Sequence, residues 1–174
     1  MLEALRQYFF RSRLRHLMAQ HKRTRRVHTL DTAKTVSILF EATSDRMRQE
    51  VLDYARSLEK KGKKVQLLGY YDQPKSPEPS PDFPFFFKKE NAWTGEPKSE
   101  RAARFAQEKP DLLLVFNPHD LPPLMWVAIQ SAAAMKIGYA TVQTHDLDVQ
   151  LDTPAEKGIK HFADQLDLYL SKIK

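Results

Sequence analysis

A chain of 174 residues is long enough for one domain with a real core, and 41% hydrophobic with 29% charged residues suits a globular protein. The absence of cysteine excludes a disulfide scaffold, a zinc–thiolate centre and a cysteine nucleophile, and fits a cytoplasmic setting. The net charge of +6 is lodged at one end: residues 1–34 hold nine Lys or Arg against Glu3 and Asp31, whereas residues 35–174 hold nineteen bases and twenty acids.

That end reads as a basic helical arm, residues 1–34, joined to one domain, residues 35–174. The stretch RSRLRHLMAQHKRTRR (residues 11–26) has seven bases and no acid. On a helical wheel Leu2, Leu5, Phe9, Phe10 and Leu17 gather on one side and Arg11, Arg15, Lys22 and Arg26 on the other, with Arg6 and Arg13 intruding on the apolar side. These arginines break the apolar stretch that a secretory signal requires. The longest apolar run, Leu121–Met135, is too short to span a membrane.

Beyond the arm, TVSILF (residues 35–40) predicts a buried strand. Thr43, Ser44 and Asp45 follow as turn and cap residues for a helix whose Met47, Val51, Tyr54, Ala55 and Leu58 recur at helical spacing, ending at Gly62. KVQLLGY (residues 64–70) predicts the second strand of a β-α-β unit, hence parallel pairing. Residues 72–84 form a loop with five prolines. Helix is expected over 97–107 with Pro97 at its first position, strand over 111–116, helix over 121–135 capped by Asp120, and strand over 137–143. The last helix opens on a capping box at Thr153, Pro154 and Glu156. Strands alternating with helices imply an α/β fold: an open, mostly parallel four-stranded sheet in the flavodoxin-like order 2-1-3-4, helices on both faces.

The run F-F-x-K-K-x-x-x-W-x-G-x-P at Phe85–Pro97, the order of elements and the basic N-terminal helix resemble an uncharacterised bacterial family of small α/β proteins. The resemblance implies a compact α/β domain and directs attention to Trp93 and Gly95. No activity comes with it. The same run interleaves aromatic rings with Lys88, Lys89 and Lys98, a pattern suited to nucleic acid but also to a core-closing turn.

In open α/β sheets ligands sit at the carboxyl ends of the strands. That rim would present Thr43, Ser44 and Asp45, then Asn117, His119 and Asp120, then Thr144, His145 and Asp146. Two His–Asp pairs suit acid–base work, with His119, His145 and Asp146 as catalytic candidates and Thr43, Ser44, Asp45, Asn117 and Asp120 as ligand-binding ones. Asp146, Asp148 and Asp152 are spaced to share one face of an extended segment, which reads as a solvated edge strand rather than a metal site. Five glycines, none in a G-x-G-x-x-G or G-x-x-x-x-G-K-[ST] pattern, exclude a classical dinucleotide or P-loop site. No cofactor or metal is expected.

The sequence therefore predicts a non-enzymatic binding or adaptor protein. Its arm, through Arg11, Arg13, Arg15, Lys22, Arg23, Arg25 and Arg26, would engage a polyanion, with RNA or a ribonucleoprotein first and an anionic membrane surface second. A small transferase or hydrolase acting on an anionic substrate in the rim crevice is the enzymatic alternative. The apolar run at 121–135 would serve as core or as a homodimer face.

Overall fold

The computed structural model describes residues 1–173. Strands β1 (Thr35–Glu41), β2 (Lys64–Tyr71), β3 (Phe85–Phe87), β4 (Leu112–Phe116), β5 (Met135–Tyr139) and β6 (Val149–Leu151) form one sheet in the order β3-β2-β1-β4-β5-β6, every neighbouring pair parallel. The four expected strands are its centre, in the expected order. The two additional strands are edges of three residues each, too short for an alternating pattern to register. One follows the proline-rich loop and the other the acidic stretch after Thr144.

Five helices accompany the sheet: α1 (Leu2–Gln20), α2 (Asp45–Lys60), α3 (Glu100–Gln107), α4 (Pro122–Gln130) and α5 (Gly158–Lys172). Alternation along the central strands sends Val36, Ile38, Phe40, Leu114 and Phe116 to the side covered by α2 and α5. Leu39, Leu113 and Val115 go to the side covered by α3 and α4. Strands buried on both faces explain the continuous apolar runs. A third cluster joins Phe10 and Leu14 of α1 to Trp126 and Ile129 of α4. Thus α4 is apolar all round because it lies between the sheet and α1. The face of residues 121–135 left open to a second copy in the sequence reading is covered from within the chain.

Several boundaries differ from expectation. Helix α1 stops at Gln20, and residues 21–34 run on without helix, held by Arg26 N donating to Ala134 O (3.0 Å) and by Lys34 N and Thr35 N donating to Asp111 Oδ2 (2.7 and 3.1 Å). Helix α3 begins at Glu100, because Ser99 caps it through Ala102 N while Pro97 bridges to Asn91. Helix α4 ends at Gln130, since the carbonyls of Ala133 and Ala134 serve the arm instead of a helix. Asp120 does not cap α4. It sits at φ 52°, and the cap position belongs to Leu121. Helix α5 lacks the expected Thr153 box: a short 3₁₀ turn over Ala155–Lys157 precedes it, Gly158 is its first residue, and Glu50 of α2 accepts from Lys160 N (3.0 Å).

Candidate functional site

The order of strands reverses between β1 and β4, which makes their carboxyl ends the natural ligand-binding crevice. Glu41 closes β1 there and is 5% exposed. Its Oε1 accepts from the His119 backbone N–H (2.8 Å) and its Oε2 meets His119 Nδ1 (2.6 Å). Burial raises the Glu41 carboxyl above its ordinary value, and the hydrogen bonds from His119 only partly oppose it. His119 itself is 59% exposed and its Nε2 has no partner among the described residues. A buried carboxylate holding one ring nitrogen while the other faces outward is the arrangement of an oriented general base. His119 stands where the sequence put it. Glu41 was missed because it reads as the last residue of a strand; a lone acid ending six residues of buried strand is the signal that could have found it.

The β1–α2 turn is tied to itself. Thr43 Oγ1 accepts from Asp72 N (2.8 Å), Ser44 caps α2 through Met47 N, and Asp45 pairs with Arg48. Arg48 also donates to the carbonyls of Ala42 and Thr43. Asn117 clasps Leu121, its Oδ1 accepting from Leu121 N (2.8 Å) and its Nδ2 donating to Leu121 O (3.2 Å). These four residues shape the rim through their polar groups.

Asn117, Asp120, Thr144, His145 and Asp146 line a narrow cleft of about 30 Å³ beside α4. The expected His145–Asp146 pair does not form: His145 Nδ1 accepts from Leu147 N (3.0 Å), and Asp146 serves cations. Asp146 and Asp148 are each gripped by both Arg23 and Arg25 at 2.6–3.0 Å, and Asp146 also accepts from Lys136 Nζ (3.0 Å). Burial pushes the Asp146 carboxyl up, but hydrogen bonds from Arg23 and Lys136 outweigh it and hold the group below its usual range. Two of the three aspartates expected on a solvated edge, Asp146 and Asp148, are instead the anionic half of an ion cluster, while Asp152 is exposed.

That cluster changes the meaning of the arm. The Arg23 side chain is 2% exposed and makes five hydrogen bonds, to Asp146, Asp148 and the carbonyls of Ala133, Ala134 and Asp146. It presents nothing to a phosphate. Arg25 is spent on the same two aspartates and Arg13 on Glu96 (2.5 Å). Arg11, Arg15, Lys22 and Arg26 are exposed and have no acidic partner among the described residues. The apolar face of α1 is also divided. Phe10 and Leu14 dock on α4, while Leu2, Leu5, Tyr8 and Phe9 stay exposed, Phe9 meeting exposed Trp93 edge-on at 6.1 Å.

The model of a family of unknown function, DUF6913, matches residues 6–173. The chain belongs to that family. The DUF6913 match begins in α1, so the basic helix lies within the matched span together with the sheet. No activity comes with DUF6913, and neither the curated proteins nor the solved structures give a match. Among the described residues no helix is long and apolar enough to cross a membrane, and no group of three His, Cys, Asp or Glu side chains is placed to hold a metal ion.

Proposed function

We propose that this chain is a non-enzymatic binding protein that docks on an anionic lipid surface through the outer face of α1. The observation that carries the reading is the exposure of Leu2, Leu5, Tyr8 and Phe9 on a helix rich in arginine, extended by exposed Trp93 of the neighbouring turn against Phe9. Exposed apolar groups in one patch mark an interaction site. A basic helix lying in the headgroup region buries such a face and keeps its cations at the phosphates. Arg15 on α1, with Lys88 and Lys89 in the turn before Trp93, supplies those cations, each worth about 1 kcal/mol near a charged bilayer. RNA would use the same charges but has no need of Leu2 and Leu5, and Arg23 and Arg25 are already committed elsewhere.

The test is co-sedimentation of the full chain with phosphatidylcholine vesicles with and without phosphatidylglycerol, beside an RNA gel shift. Binding to the anionic vesicles, weakened by salt and reduced more than about tenfold in L5S/F9S, is expected, since each fully buried Leu or Phe is worth about 1.5–3 kcal/mol. RNA binding unaffected by L5S/F9S, with no vesicle binding, overturns the reading.

The Glu41–His119 pair supports a second reading, an acid–base hydrolase at the switch point. Hydrolysis of p-nitrophenyl phosphate or p-nitrophenyl acetate should fall to background in H119A and shift its pH profile in E41Q. Equal rates in all three proteins remove this reading.

A further inference from the structure

A cavity of about 170 Å³ lies between α1 and the carboxyl edge of the sheet, adjoining the narrow cleft through Asp120, Met125 and Thr144. Arg6 and Arg11 project from α1 at one side, while Thr94, Asp120 and Thr144 line the other. Two of these groups have no internal explanation. Thr94 is 5% exposed, yet its hydroxyl has no hydrogen-bond partner among the described residues. Buried hydroxyls are nearly always bonded, so one left open at a cavity wall awaits something in the cavity. Asp120 sits at φ 52°, a left-handed conformation uncommon outside glycine, and its carboxylate enters no ion pair among the described residues. Strain of that kind collects at ligand sites.

Arg11 has no acidic partner among the described residues, while Glu3, which also lines the cavity, meets Arg6 at 3.7 Å and leaves the roof with a net positive charge. The guanidinium groups of the roof suit an oxyanion, which they bind in a planar fork. A carboxylate and two hydroxyls on the rim suit the hydroxyl groups of the same molecule. The volume is below the several hundred Å³ of drug-sized pockets, which limits the occupant to a few carbons. We propose that this cavity binds a small hydroxylated phosphomonoester, its phosphate toward Arg6 and Arg11 and its hydroxyls toward Thr94 and Asp120. The site is the inner flank of α1 and does not rest on the lipid reading, which concerns the outer one.

The experiment is titration of the full chain with glycerol 3-phosphate, inorganic phosphate and glycerol, each followed by calorimetry and by amide NMR shifts. Saturable binding of glycerol 3-phosphate is expected, with phosphate about tenfold weaker and glycerol silent. R6Q/R11Q should abolish binding of both anions. T94V and D120N should weaken glycerol 3-phosphate by about tenfold and leave inorganic phosphate unchanged, the size expected for one lost hydrogen bond to a buried partner. T94V is isosteric, so it decides the matter if R6Q/R11Q fails to fold. No saturable binding at millimolar glycerol 3-phosphate overturns the proposal, as a merely water-filled cleft requires. Equal affinity for phosphate and glycerol 3-phosphate, or affinity indifferent to T94V and D120N, overturns it as well.

Discussion

Lys136 is a charged residue that is costly to bury. It lies fully buried on β5, its ammonium donating to Asp146 (3.0 Å) and to the Ile129 carbonyl (3.2 Å). Burial lowers its pKa to about 8 in spite of Asp146. The two partners are therefore not equally served: Asp146 draws on Arg23, Arg25 and Lys136, whereas Lys136 shares its one carboxylate with two arginines. Two outcomes follow for urea unfolding. D146A leaves Lys136 buried without its carboxylate and Arg23 with Asp148 alone and should cost about 3–5 kcal/mol, while K136M removes a buried charge and should stay within about 1 kcal/mol of the native chain. The pH dependence has a definite sign. Between pH 8 and the ordinary lysine value of 10.5 the unfolded chain keeps the proton that the folded chain has released. Native stability relative to K136M should therefore rise across that window.

Among the elements, those with long periodic patterns were legible and those held by tertiary partners were not. The spacing of Val51, Tyr54, Ala55 and Leu58 and the Ser44 cap define α2 without help from elsewhere. Helix α1 could be recognised but its docking face could not, because its apolar residues spread around more than half the wheel. Only contact with Trp126 and Ile129 selects Phe10 and Leu14 from Leu2, Leu5 and Phe9. Strands β3 and β6 escape notice because three residues cannot establish a period of two. Helix α5 shows a local signal overridden: Thr153 and Glu156 spell a capping box, but Glu50 reaches across from α2 to take Lys160 N. The rim followed the same division. The fold placed His119, Asn117 and Asp120 at strand ends as read, whereas Glu41 and Thr94 acquire meaning only from what the chain brings beside them.

For the whole molecule, the composition suggested a nearly neutral domain with a charged arm, and the fold packs that arm on the domain. Two of the arm's seven candidate arginines and lysines neutralise Asp146 and Asp148, so the apparent charge imbalance between the ends is partly an internal ion cluster split across the sequence. Stepwise deletion should reveal two separate contributions. A chain lacking residues 1–20 loses Phe10 and Leu14 from α4, uncovering Trp126 and Ile129; burial of two such side chains is worth about 3–6 kcal/mol at most. A chain lacking residues 1–26 also loses Arg23 and Arg25, leaving two aspartates with Lys136 alone, together with the hydrogen bonds to Ala133 and Ala134 that shape the end of α4. Removing one side of a buried ion cluster costs about 3–5 kcal/mol in itself. Thermal unfolding should thus fall in two steps, and the second step should shrink on acidification, because the stability that Arg23 gives by holding Asp146 ionised below its usual range is lost as pH falls through that lowered value. Once Arg23 is gone, Asp146 takes up its proton more readily, so acid relieves part of the cost in the shorter chain. Equal melting temperatures for the two shortened chains would mean that the Arg23 cluster contributes nothing to the fold, and that the arm is a tail after all.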